Sequence, residues 1–207
     1  EGMNADYGEI SRFNARLFRI LSGARKIRVT TKAGTDATAT FSPKIRWVNC
    51  DGHITSDEWF NLPEGEIFTC VSGIEGRYVV DGVLGDHFSS YGLLLHPVTF
   101  HISRGRVSRI ECNNKVLRKE LMEYIKTDRN ADRVGEFALG TNLAIKRLIG
   151  VLLQDEKFPG IHIAFGSSYP TKTGAKWDSK THVDGVLKSP SIYVDGEPIM
   201  VKGVFRL

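Results

Sequence analysis

The chain has 207 residues, 41% hydrophobic and 25% charged, with a net charge of +4 and a pI near 9.0. That is ordinary globular usage and fits one domain, which excludes a disordered tail or a coiled coil. No apolar run reaches the roughly 18 residues of a membrane span, so no membrane is expected; the basic residues are dispersed rather than gathered on one face, so no nucleic acid is expected either.

Residues 9–22 open the order with Ile10, Phe13, Leu17, Ile20 and Leu21 at three- and four-residue spacings, predicting an amphipathic helix that stops at Gly23. Period-two alternation follows. Residues 26–31 and 37–41 flank the turn signal AGTD and predict a hairpin, which 44–49 is expected to extend. Strands are predicted at 66–71 and 75–84, and a hairpin at 96–103 and 106–112 about Arg104 and Gly105. Asn113 or Asn114 caps a helix to about Lys126, with Val116, Leu117, Leu121, Tyr124 and Ile125 as its apolar stripe. A strand at 134–140, a short helix at 142–150 and a strand at 160–166 come next, then a hairpin over 191–201 turning at Asp195-Gly196. Strands dominate and do not alternate βαβ. The expected fold class is α+β, mostly antiparallel sheet with about three helices.

Three cysteines, Cys50, Cys70 and Cys112, are odd in number and widely spaced, which argues against a disulfide framework and a CxxC zinc site. Reduced buried thiols fit a cytoplasmic setting. The first residue is Glu1 rather than Met, so the chain is expected to begin inside a longer gene product.

The chemistry concentrates in GEIFTC (65–70), VGEFALGTN (134–142), 154–170 and SKTHVDG (179–185). His182 and Asp184 stand two apart, a spacing that sends both side chains off the same face of a strand. In GIHIAFG, Ile161, Ile163 and Phe165 alternate against His162 and Ala164, which sets His162 opposite the large apolar residues. Glu156 lies six residues earlier, across Pro159-Gly160. Glu66 and Glu136 each follow a glycine and open an apolar strand, a place where ionised Glu is rarely buried without a partner or a metal. Tyr169 sits in a Ser/Gly-rich loop before Pro170, where its phenol suits hydrogen bonding to a developing oxyanion. Four carboxylates in one small site need compensating cations, and two divalent ions supply the charge. HExxH, P-loop and GxSxG motifs are missing from the sequence. Asp86-His87 with Ser89 and Ser90 has the composition of a triad, but proximity in sequence is not triad geometry.

Taken in this order the segments resemble the aminopeptidase T / aminopeptidase S family of dinuclear metallopeptidases. NLPEGEIFTC resembles that family's N-L-P-x-G-E-V-F-T-A-P block, and VGEFALGTN its G-E-x-A-L-G-x-N block. Residues 155–170 are similar to E-K-x-x-G-x-x-H-I-A-x-G-x-S-Y, and SKTHVDGV to S-x-x-H-x-D. The chain departs from the pattern at Cys70-Val71, where Ala-Pro is usual, and at Asp178, where Asn is usual. The resemblance implies a catalytic domain over 1–207 without the family's N-terminal domain, and an aminopeptidase acting on peptides as a homodimer. It implies two divalent ions (Zn, Co or Mn) held by Glu66, Glu136, Glu156, His162, His182 and Asp184. Tyr169 would be a catalytic side chain, and Glu136 or Glu66 the proton acceptor. A metal-dependent hydrolase of a non-peptide amide and a non-catalytic β-rich binding module are the alternatives.

Overall fold

The computed structural model describes residues 1–54, 56 and 61–207. The Asp86 side chain falls outside the described set, and with it the triad-like grouping. The strands are β1 Lys26–Thr30, β2 Asp36–Thr40, β3 Val48–Cys50, β4 Glu66–Thr69, β5 Gly73–Val80, β6 Val98–Ser103 and β7 Arg106–Cys112, then β8 Val134–Gly140, β9 His162–Gly166, β10 His182–Val186, β11 Ser191–Val194, β12 Glu197–Val201 and β13 Val204–Phe205. The helices are α1 Tyr7–Leu21, α2 Lys115–Tyr124, α3 Leu152–Asp155 and α4 Pro170–Thr173. The fold is α+β and mostly antiparallel sheet, as the alternation predicted, with four helices rather than about three.

Two sheets share one core. The larger runs β13-β12-β11-β1-β2-β5-β6-β7 and the smaller β10-β9-β8-β4-β3, with every described pairing antiparallel. The inner face of the smaller sheet supplies Ile67, Phe137, Ile163, Phe165 and Val183. Phe165 meets Phe100 of the larger sheet with ring centroids 4.5 Å apart. The Tyr78 hydroxyl donates to the Gly185 carbonyl at 2.7 Å, a buried polar tie between the sheets.

Local chemistry explains the helices. Asp6 accepts from the Glu9 amide at the start of α1, and Asn114 accepts from the Val116 and Leu117 amides at the start of α2. α1 buries Ile10, Asn14, Leu17 and Leu21, while Ile20 is exposed on its rim. α2 buries Leu117 and Leu121 and leaves Val116 exposed, so its stripe is narrower than predicted.

Two expectations fail. Residues 44–49 do not extend the first hairpin: Arg46 donates its amide to the Thr173 carbonyl, and β3 joins the other sheet beside β4. Residues 142–150 form no helix. The Asn142 amide nitrogen instead donates to the Gly2 and Glu64 carbonyls, and the Asp155 carboxylate accepts from the Ile149 and Gly150 amides. Leu143 and Ile149 stay exposed, so a helix there would have had little apolar surface to bury.

Candidate metal centre

The smaller sheet builds the site by simple alternation. On β4, β8, β9 and β10 one set of side chains enters the core, and the opposite set carries Glu66, Glu136, His162, His182 and Asp184. Register aligns them. Ala164 pairs with Glu136 on one side and Asp184 on the other, and Ala138 pairs with His162. The two methyl side chains leave space between the long polar ones. Glu66 pairs with Gly140 on β8 and with Cys50 on β3.

Glu156 reaches the site from the C-terminal end of α3. The 156–158 backbone lies directly on β8. A Cβ on Gly140 would meet the Phe158 carbonyl oxygen at 2.1 Å, so only glycine admits that approach. The Asn142 amide donates to the Lys157 carbonyl at 3.0 Å and fixes the same segment.

All six predicted residues converge. His182 Nε2 lies 3.2 Å from a Glu136 oxygen and 3.4 Å from Asp184 Oδ1. His162 Nε2 lies 3.5 Å from Glu66 Oε2 and 4.0 Å from Asp184 Oδ1. Three trios each offer donor atoms within 4.8 Å of one another: Glu66, Glu136 and His162; Glu136, His182 and Asp184; Glu156, His162 and Asp184. Glu66, Glu136, His162 and Asp184 are buried, so Glu66 and Glu136 do not end in open water.

Three neighbours escaped the sequence reading. The Lys157 ammonium, 4% exposed, stands 2.8 Å from Glu66, 2.9 Å from Glu156 and 3.1 Å from Glu64. Glu64 is buried and also accepts from the Gly65 amide. Cys50 is buried beside Glu66, and burial, with Glu66 and Glu64, pushes its thiol well up. Glu64 stands two residues before Glu66, and Lys157 directly follows Glu156. Same-face spacing and a lysine inside an acidic cluster were the available signals; nothing in the sequence marked Cys50.

The electrostatics reflect crowded negative charge. Burial first, with Glu66 and Asp184 adding to it, pushes the Glu156 carboxyl up to about 8 against the pull of Lys157. Glu64 rises to about 7, chiefly through burial. Burial also acts on Asp184, but His182, His162 and Lys157 outweigh it and hold that carboxyl below its usual range. Burial opposes charging of His182, yet Asp184 and Glu136 hold its imidazolium well above the usual range. Lys157 stays charged because three carboxylates outweigh its burial.

Tyr169 stands at the start of α4 with φ 47° and ψ 57°, a left-handed conformation uncommon outside glycine. Its hydroxyl is 3.5 Å from His182 Nε2, and its ring packs edge-on against Phe68. Burial, then Glu136 and Asp184, pushes the phenol well up, so it remains a donor. The whole group opens into a cavity of about 740 Å³ whose lining also includes the apolar side chains of Phe68, Leu152 and Leu153.

This donor set suits cations. Glu64 and Lys157 offset each other, and the remaining four carboxylates match two divalent ions in charge. Imidazole with carboxylate suits Zn, Co or Mn better than Ca. The Nδ1 atoms of both histidines are buried without a hydrogen-bond partner, and their Nε2 atoms face the carboxylate oxygens.

The antiparallel α+β domain thus carries, on one sheet face, a carboxylate–imidazole cluster of the kind that could hold metal ions. The family model for thermophilic metalloprotease (M29) matches residues 5–205, and the chain belongs to that family. Among the solved structures that share the fold are the following two. The 2,5-dihydroxypyridine dioxygenase of Pseudomonas putida KT2440 is 21% identical, with a TM-score of 0.80 over 99% of this chain and 61% of that one. Wild-type AmpT from Thermus thermophilus is 21% identical, with a TM-score of 0.70 over 97% of this chain and 53% of that one. The chain thus spans about three fifths and half of their lengths. No curated protein matches the sequence. No described helix is long and apolar enough to cross a membrane, and all three cysteines are unpaired.

Proposed function

We propose that the chain is the catalytic domain of a metal-dependent aminopeptidase that removes N-terminal residues from peptides. One observation carries this reading: six predicted donors, spread from residue 66 to residue 184, meet on one sheet face in a chain of a metalloprotease family. Glu66, Glu136, Glu156, His162, His182 and Asp184 would hold two ions. Bound there, Zn, Co or Mn supplies Lewis acidity and a water of lowered pKa.

The protein's own groups do the rest. Glu136 is the favoured proton acceptor. Glu66 is held by the Lys157 ammonium at 2.8 Å, while Glu136 forms no ion pair with that lysine among the described contacts. A carboxylate in this place takes a proton from the attacking water and returns it to the leaving amine. Tyr169 keeps its proton and donates to the tetrahedral oxyanion. Phe68, Leu152 and Leu153 give the apolar wall against which a substrate side chain packs. The family's N-terminal domain, a homodimer and a cytoplasmic setting belong to the same reading; their support is the motif resemblance and, for the last, the unpaired thiols.

A second reading has its own observation. The two solved relatives carry different activities on one fold, so the fold alone does not choose. Asp184 stands near both histidines, 4.0 Å from His162 and 3.4 Å from His182, but the two histidines fall in separate donor groups rather than in one set around a single ion. The four carboxylates and buried Lys157 favour the hydrolase.

The test is removal and return of metal. Chelated protein should lose activity on aminoacyl-p-nitroanilides and regain it with Zn, Co or Mn at about two ions per chain, while N-blocked peptides stay uncut. Aminoacyl amides cleaved no better when the α-amine is free point to the non-peptide amidase. Binding of one iron with oxygen uptake on a dihydroxypyridine would replace the proposal with the oxygenase, and no metal at all leaves a binding module.

A further inference from the structure

We propose that Tyr124 is a positioning residue of the site: its hydroxyl fixes the main chain of His182 and, through it, the imidazole. The inference rests on the two-ion reading above for what His182 does, and on hydrogen bonds alone for what Tyr124 does. β10 is an edge strand of the smaller sheet, with β9 on one side only. Along the other side of such a strand, every second residue turns its amide and carbonyl outward. The 82–85 segment meets part of that edge. Gly85 donates to the Asp184 carbonyl at 2.9 Å, and Val186 donates to the Val83 carbonyl at 3.0 Å and accepts from the Gly82 amide at 3.1 Å. At His182 a side chain fills the same place. The Tyr124 hydroxyl, at the end of α2, accepts from the His182 amide and donates to the His182 carbonyl, both at 3.2 Å.

The phenol ring is itself held. His87 stacks on it with ring centroids 5.7 Å apart and planes 13° apart, and Phe88 meets it edge-on at 5.3 Å. His182 needs an anchor of this kind. A metal-binding imidazole ordinarily donates its second ring nitrogen to a carboxylate, a carbonyl or water, which fixes its orientation. His182 Nε2 faces Glu136 and Asp184, while Nδ1 is buried without a hydrogen-bond partner among the described residues. Tyr169 reaches Nε2, not Nδ1, so it supplies no such partner. His162 Nδ1 is equally bare, but β9 is paired on both sides, with β8 and β10. His162 is also enclosed, its side chain 2% exposed against 21% for His182. The place of the His182 ring therefore follows from its main chain, and the outward groups of that main chain are tied by one hydroxyl.

Tyr124→Phe removes the hydroxyl and keeps the ring that packs on His87 and Phe88. In the metal-free chain, hydrogen exchange followed by NMR should show the His182 amide exchanging at least about fivefold faster in this variant. With Co²⁺ bound, the visible absorption band should shift, and Zn²⁺ dissociation constants from calorimetry should rise about 10- to 100-fold. Tyr91→Phe is the control. It removes a comparable bond to the same helix, from the Tyr91 hydroxyl to Glu120 at 2.7 Å, and leaves the bonds to His182 in place. Its Co²⁺ band and Zn²⁺ constants should match the parent's. Native exchange at His182, an unmoved band or unchanged Zn²⁺ constants in Tyr124→Phe, or an equal loss in Tyr91→Phe would each overturn the inference while the two-ion reading stands. A parent chain that takes up neither Zn²⁺ nor Co²⁺ would end the two-ion reading, and the exchange rates alone would then decide whether Tyr124 holds His182. If Tyr124→Phe does not fold, the parent decides: a His182 amide exchanging as freely as an unprotected one overturns the inference, and one protected like that of Val186 upholds it.

Discussion

Replacing Glu156 by glutamine should stabilise the metal-free protein while weakening its hold on metal. The free carboxyl titrates near 4.5; in the fold, burial, Glu66 and Asp184 push it up to about 8 despite Lys157 at 2.9 Å. At pH 7 the unfolded chain has released this proton and the native one has kept it. A gap of that width corresponds to about 2–4 kcal/mol of lost stability at neutral pH. Glutamine resembles the protonated side chain and carries no such penalty. The sign follows from linkage: the cost is absent below pH 4.5, grows through neutrality and levels off above pH 8, where the buried carboxylate is ionised. Urea unfolding of chelated native and Glu156→Gln proteins at pH 5, 6, 7 and 8 should show a difference that rises by about 1.4 kcal/mol per pH unit, up to about pH 8. In a chain of this size the gain at pH 7 equals about 4–16 °C in Tm. With Zn²⁺ present the order should reverse, because the variant gives up a donor of the position beside His162. A stability difference that is flat with pH, or a variant less stable at pH 8 without metal, would refute the reasoning.

Glu136→Gln should lower kcat by more than about 10²-fold, with an unchanged circular dichroism spectrum; full activity in that variant would remove Glu136 from the proton-transfer role. Tyr169→Phe should lower kcat by about 10²-fold with metal content unchanged, and a change confined to KM would count against an oxyanion donor. Gly135→Ala should cost at least about 2 kcal/mol by thermal unfolding, because its Cβ would meet the Ser167 and Gly166 carbonyl oxygens at 2.1 and 2.2 Å. A variant as stable as the parent would mean that β8 has room to move.

Much of the site was legible because strands write their geometry into sequence. His182 and Asp184, two residues apart, leave β10 on one face, and the Ile161, Ile163, Phe165 alternation sends His162 the other way from the core. The hairpins about AGTD, Arg104-Gly105 and Asp195-Gly196 were equally plain. What stayed hidden depends on contacts far apart along the chain. Leu143, Ile145 and Ile149 have spacing that suits a helix, but Asn142 and Asp155 use their polar atoms to hold the segment in turns. The Lys157 ammonium reads as a surface charge until β4 and β8 bring Glu64 and Glu66 against it. Cys50 became a neighbour of Glu66 only because β3 left the first hairpin's sheet for the other.

The donors come from β4, β8, β9, β10 and the turn after α3, elements that meet in space but lie far apart along the chain. No short stretch of polypeptide owns the cage. A nick or local melting anywhere between residues 66 and 184 therefore scatters donors on both sides of the break. Cation retention becomes a gauge of whether the entire smaller sheet is zipped, and ion release under gentle heating should coincide with its cooperative opening rather than precede it.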